Sequence, residues 1–204
     1  VNVRTLLFTL FLASFINTSN AKIEVPDNVI RLINNSFPQC DLSTPVTGSL
    51  YGESSSDIAV VVGCKSSKND YSSLQLILVL TKDSDGKYFI ASKTGKFDTD
   101  GIYDLSLEIK KNSLFIHISI PGSQTAIVTN YQFKKIGKDL TLIGMETQSY
   151  YHGDAPQDKS TEDFHISTNY LTGVVLDSRH KAGKSKKVRL KKIQFQEFFP
   201  GIES

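Results

Sequence analysis

Asp57-Ile58-Ala59-Val60-Val61-Val62-Gly63-Cys64 and Leu74-Gln75-Leu76-Ile77-Leu78-Val79-Leu80-Thr81 are the two stretches on which the fold turns. Each has the length of a strand rather than of a helix, and apolar side chains fill its odd and even positions alike. A strand with one wet face alternates apolar with polar residues, whereas a strand covered on both faces has no reason to. The two runs therefore predict a pair of central strands, buried on both sides.

Outward from them the period is two. Asp83-Ser84-Asp85-Gly86 supplies a turn, because aspartate bonds its own backbone and glycine accepts positive φ. Residues 87–92 return as the next strand. Residues 105–110 alternate cleanly, Lys111-Asn112 turns the chain, and residues 113–120 run back until Pro121-Gly122 ends them. Residues 125–134 and 139–146 form another pair about Gly137-Lys138. A polar loop with one proline covers 151–160, and strands are expected near 162–170 and 173–178. A last strand is read at 188–195, with Val188, Leu190, Lys192 and Gln194 on one side and Arg189, Lys191, Ile193 and Phe195 on the other. Upstream, Val29, Ile30, Leu32, Ile33 and Phe37 fall at helical spacing, Pro26 and Asp27 suit a first turn, and Pro38 stops the element. These readings give a mainly β protein, an antiparallel sheet or β-sandwich of nine or ten strands. One short N-terminal helix covers a face or an edge. Residues 22–204 are read as a single β-rich domain.

Residues 1–21 read as a signal peptide, with one positive charge at Arg4, an apolar run at 6–16 and a small-residue exit ending at Ala21. The run is shorter than the ~20 residues a permanent span needs, and no second run of that length follows. An N-terminal helix buried in the fold is the alternative, but the segment is apolar on every face. The expectation is a periplasmic or secreted protein without a transmembrane segment.

Cys40 and Cys64 are the two cysteines. In an oxidising compartment the simplest reading is a disulfide between them, worth about 3 kcal/mol in the chain-entropy model. Two separately buried thiols are the alternative. The formal net charge is +2, yet Arg179, Lys181, Lys184, Lys186, Lys187, Arg189, Lys191 and Lys192 crowd eight positive charges into one segment. An acidic body therefore carries one basic stretch, which reads as a solvated mobile hairpin, a docking site for an acidic protein partner, or an attachment to anionic membrane or envelope polymer.

Catalytic patterns are weak. No G-x-S-x-G elbow occurs. His117, His152, His165 and His180 show no metal-ligand spacing, and no cofactor motif is read. His117, flanked by Ile116 and Ile118, reads as a half-buried structural residue sharing a face with Phe115 and Ser119. Asp163, His165 and Ser167 make a triad-like row on paper, but alternate residues of a strand lie about 7 Å apart, too far for proton relay. Glu53, Asp57, Asp98, Asp100, Asp104, Glu108 and Glu146 could supply a carboxylate pair for glycoside hydrolysis if two met in space. Two D-x-D-G fragments, 83–86 and 98–101, resemble the start of calcium loops, but Thr94 and Ile109 stand where the closing glutamate belongs. Hairpin turns explain both.

Two further stretches carry a family likeness. Asp139-Leu140-Thr141-Leu142-Ile143-Gly144-Met145-Glu146 and Ser167-Thr168-Asn169-Tyr170-Leu171-Thr172-Gly173, the latter followed by a lysine-rich run, resemble a group of small secreted bacterial proteins of unassigned function. In that group an L-I-G-x-E strand precedes an S-x-N-Y-L-T-G strand and turn. Residues 47–62 are similar to that group's opening strand and to FG-GAP-type repeats, although the turn at 52–57 lacks their carboxylate ladder. The resemblance implies export and one β-rich domain, and no activity. Within it, Asn169 and Thr172-Gly173 read as a structural turn, with Tyr170 and Leu171 entering the core.

The function expected from these features is non-catalytic binding of another macromolecule, as an inhibitor or immunity-type protein facing a toxin, lytic enzyme or envelope protein would do. The expected contact residues are Tyr150, Tyr151, His152 and Asp154 in one loop, and Lys184, Lys186, Lys187, Arg189 and Lys191 in the basic stretch. Export argues against a nucleic-acid partner, and the stretch lacks the interleaved aromatics of single-strand binders. The alternatives are a glycan or small-molecule module with a concave face lined by Tyr51, Tyr71, Tyr103, Tyr131 and Tyr150, or an envelope hydrolase using paired carboxylates.

Overall fold

Continuous apolar strands need cover on both faces, and the chain supplies a different cover for each. The computed structural model describes residues 25–52, 56–65, 73–99, 102, 104–122, 125–151, 163–179 and 185–200. The signal-peptide reading of residues 1–21 lies outside the described residues. In chain order the elements are α1 (Asp27–Ser36), β1 (Cys40–Leu42), β2 (Val46–Gly48), β3 (Asp57–Lys65), β4 (Ser73–Lys82), β5 (Tyr88–Lys93), β6 (Phe97–Asp98), β7 (Asp104–Lys110), β8 (Ser113–Pro121), β9 (Thr125–Ile136), β10 (Asp139–Tyr151), β11 (His165–Asn169), β12 (Val174–Asp177), β13 (Lys186–Lys187) and a 3-10 turn, Phe195–Glu197.

The strands form two antiparallel sheets. The first has the order β1-β3-β4-β5, with β2 also beside β3 and β6 also beside β4. The second is a meander, β13-β12-β11-β10-β9-β8-β7, in which neighbours in space are neighbours in sequence. The count exceeds the nine or ten expected because β1, β2, β6 and β13 are two or three residues long, too short to carry an alternation. Turns fall where their residues require. Gly86 and Gly137 have φ of 76° and 67°, and Lys111 and Asn112 take 50° and 57°. Asp83 Oδ1 accepts from the backbone N–H of Asp85 and of Lys87, both at 2.9 Å, so the first D-x-D-G fragment is a hairpin turn.

β3 and β4 are indeed covered twice. On one face Ile58, Val60, Val62, Leu76, Leu78 and Leu80 meet Val29 and Ile33 of α1. On the other, Ala59, Val61, Ile77 and Val79 meet Leu114, Ile116, Phe133, Leu140 and Leu142 of the second sheet. Each such valine, leucine, isoleucine or phenylalanine contributes about 1.5–3 kcal/mol on burial. Between β5 and β6, Thr94 keeps the ladder intact. Its Oγ1 accepts from Ile77 N at 2.9 Å and its own N–H donates to Ile77 O at 3.0 Å. Cys40 and Cys64 are disulfide-bonded, tying β1 to β3.

Two expectations fail. The strand read at 188–195 does not form. Val188 N donates to Gly173 O at 2.8 Å, and there the ladder ends, because β12 begins at Val174 and offers nothing beyond. The chain instead crosses to β10, where Leu142 N donates to Ile193 O at 2.9 Å and Gln194 bridges Thr141. Phe195 and Phe198 then turn inward, each 1% exposed. Their rings meet Phe133 edge-on at 5.2 and 5.1 Å, and Phe198 meets Tyr131 at 4.9 Å. Two phenylalanines three residues apart suit a 3-10 turn and bury more apolar surface there than an edge strand would allow. The second failure is Leu171, which is 62% exposed rather than in the core. Asn169 Oδ1 accepts from Leu171 N and Thr172 N, both at 3.0 Å, and this Asx turn puts Leu171 at the outer tip. Tyr170 does pack against the core.

Candidate interaction surface

Register decides which side chains share a face, since directly opposed residues of antiparallel strands point the same way. Tyr131 and Phe133 point into the core, so Asn130 and Gln132 point out. Glu146, Ser167 and Leu176 follow Asn130 in register, and Gly144, Asn169, Val174 and Lys187 follow Gln132. Alternation along β10 adds Gln148 and Tyr150. This outward face of the second sheet is polar and open. Among the described residues the one α-helix packs on the first sheet.

Of the expected contact residues, Tyr150 and Lys187 fall at two corners of this face. Tyr150 is 48% exposed, with its hydroxyl bonded to Gln148 Oε1, whereas Tyr151 points inward and its N–H donates to Asp163 Oδ1 at 2.6 Å. His152, Asp154 and Lys184 lie outside the described residues. Lys187 lies three strands across and six residues along from Tyr150, roughly 25 Å away at ordinary strand rise and spacing. The tyrosine corner and the basic corner are therefore separate surfaces.

The basic stretch is divided by its own ion pairs. At one end Arg179 clasps Asp177, with Nε and Nη2 at 3.0 and 2.7 Å from its oxygens, and lies over the Phe164 ring at 4.8 Å. The hydrogen bond to Asp177 raises the Arg179 pKa above its usual value. At the other end Lys191 Nζ is 3.7 Å from Glu197 Oε2. Lys186, Lys187 and Arg189, all exposed, make no ion pair among the described residues. Two exposed leucines lie on the neighbouring strand and in the turn before it, Leu176 at 51% on β12 and Leu171 at 62% ahead of Gly173. These apolar neighbours were not anticipated. The Asx residue at 169 followed by Gly173 was the cue that the intervening side chain would point outward.

The described histidines, and the carboxylates Glu108 and Glu146, do not converge. His117 sits on the outward face, its Nδ1 donating to Asn130 Oδ1 at 2.6 Å and its Nε2 3.9 Å from Glu108 Oε2, with the Phe115 ring stacked at 6.3 Å. His165 and Ser167 alternate on that face, whereas Asp163 is turned to the Tyr151 amide. Glu108 and Glu146 stand three strands apart, about 14 Å at ordinary spacing, beyond either glycosidase geometry. Asp57 is fully buried and structural, its Oδ2 accepting from Leu50 N at 2.6 Å and Tyr51 N at 2.9 Å. Glu53, Asp100, Tyr71, Tyr103 and His180 lie outside the described residues. Among those described, no three His, Cys, Asp or Glu side chains group as a metal site.

Of the tyrosines expected to line a concave face, the three described are dispersed. Tyr131 is 3% exposed in the core, and Tyr150 is on the opposite face of the same sheet. Tyr51 is half-buried beneath Lys135, whose Nζ is 5.1 Å from the ring. Burial, and then the Asp57 carboxylate, push the Tyr51 phenol up to about 12. A concavity of about 380 Å³ is an open groove between the β5–β6 link and the 3-10 turn, lined by Lys96, Phe97, Asp98, Glu197 and Phe199 among others.

Fold and surface together define a two-sheet β protein, disulfide-bonded, with a cationic corner on its seven-stranded sheet. No family model, curated protein or solved structure matches the chain.

Proposed function

We propose that the protein is a non-catalytic binding module of an oxidising, extracytoplasmic compartment, and that its ligand is another macromolecule. The observation that carries this reading is the run Lys186, Lys187 and Arg189, exposed and in no ion pair among the described residues, with exposed Leu176 one strand from Lys187 on the same face, while Arg179 and Lys191 are paired with Asp177 and Glu197. Unpaired cations flanking exposed apolar side chains are the composition of a protein contact, in which charge steers the encounter and the apolar anchors hold it. The disulfide supports the compartment, since such bonds persist where thiols oxidise. An inhibitor or immunity-type protein, facing a toxin, a lytic enzyme or an envelope protein, fits this surface. No transmembrane helix is found among the described residues.

The test is site-specific photo-crosslinking at Leu176, Arg189 and Tyr150 in the producing cells, followed by reconstitution from purified components. The reading expects a macromolecular adduct at Leu176 and Arg189 and saturable binding on reconstitution. Purified protein that turns over an envelope polymer, or adducts that never reconstitute, would overturn it.

A further inference from the structure

Among the described residues β13 is the outermost strand of the seven-stranded sheet and pairs on one side only, Lys187 with Val174 and Lys186 with Val175. In an antiparallel ladder the N–H and C=O groups of alternate residues point to opposite sides. Val188 directs its N–H inward to Gly173 O, so the Lys187 amide is directed away from the sheet, and continuing the alternation past the end of β13 assigns the Arg189 amide to the same side. That is a vacant row of donors and acceptors, the template for an added strand. The side chains on the row select what is added. Lys187 and Arg189 share the outward face, and continuing the register puts Ser185 opposite Leu176. Ser185 is small and exposed, leaving a path across it to the Leu176 side chain. A second copy of this edge is disfavoured, because two such strands would oppose Lys and Arg to Lys and Arg.

Resting on the binding role proposed above, we infer that the partner inserts an extended acidic segment as an additional strand along residues 185–189. Carboxylates lie opposite Lys187 and Arg189, and an apolar residue two positions on packs against Leu176. Backbone hydrogen bonds to Lys187 and Arg189 give the affinity, and the charge pattern gives the choice of partner.

The probe is a short peptide containing Glu-Thr-Glu-Thr-Leu, which in the antiparallel sense places its glutamates opposite Arg189 and Lys187 and its leucine opposite Ser185. It is compared with the same peptide N-methylated at alternate residues, with polyglutamate, and with phosphatidylglycerol vesicles, all against the intact disulfide-bonded protein. Amide hydrogen exchange at Lys187 and Arg189 should slow at least about tenfold with the first peptide and remain unchanged with the N-methylated one. Simultaneous K186E, K187E and R189E substitutions, all at exposed positions, should abolish the effect while leaving exchange in β3 and β4 as it was. Equal binding of the N-methylated peptide or polyglutamate, binding to vesicles alone, or no binding at all would each overturn strand addition. A reconstituted partner that loses affinity for the triple variant, yet leaves amide exchange at Lys187 and Arg189 of the wild type unchanged, would overturn strand addition while leaving the binding role intact.

Discussion

Cys40 and Cys64 sit directly opposite one another in register across β1 and β3, their Cα atoms 4.2 Å apart. The bond closes a loop with a sequence separation of 24, and it ties the short strand after α1 to a central strand of the first sheet. Replacing both cysteines by alanine should lower the unfolding free energy by about 3 kcal/mol, mostly by enlarging the unfolded ensemble. Urea melts of wild type and variant measure this, and equal midpoints and slopes would contradict it.

The C-terminal phenylalanines should matter as much as any residue of the central strands. Phe195 and Phe198 are each 1% exposed against Phe133, so F195A and F198A should each cost about 3–5 kcal/mol. Phe199 is 54% exposed, and F199A should stay within about 0.5 kcal/mol of wild type. Denaturant melts of the three variants separate a buried anchor from a loosely attached tail.

Gly173 is where the basic strand meets the sheet. Its φ is +70°, and a Cβ there would collide with the Val188 carbonyl. Gly137 has a similar φ of +67° with open space around it. G137A should therefore cost about 1 kcal/mol from backbone strain alone, and G173A should cost more. G173A should also speed amide exchange at Val188, which loses its bond to Gly173 O. Equal costs in the two variants would mean that β13 is not seated as described.

Alkaline pH should unfold the protein partly through Tyr51. Its phenol ionises near 12 in the fold and near 10 when unfolded, so the unfolded chain gives up this proton first. The stabilisation is complete below pH 10 and is lost as pH rises from 10 to 12. Thermal melts across that range should fall more steeply for wild type than for Y51F, and parallel profiles would remove Tyr51 as the cause.

Much of the architecture could be read from the chain. The apolar runs of β3 and β4 showed two-sided burial because both parities were apolar, and the turns at Gly86, Gly137 and Asn112 declared themselves through residues that accept positive φ. The C-terminal segment misled because Val188 to Phe195 does alternate, yet alternation cannot tell whether a neighbouring strand extends far enough to pair. β12 does not. The surface was legible in charge alone. That Arg179 and Lys191 are neutralised while Lys186, Lys187 and Arg189 are not depends on contacts with Asp177 and Glu197 that spacing does not specify. The distance between Tyr150 and Lys187 likewise follows from register across three strand pairings, which no local pattern encodes.

The binding role is tested most directly by the salt dependence of the reconstituted complex, measured for wild type and for K186E/K187E/R189E by titration calorimetry. The account predicts at least about a tenfold weaker Kd for the variant at low ionic strength, with a clearly shallower salt dependence than wild type. Identical affinities and identical salt dependences would contradict it.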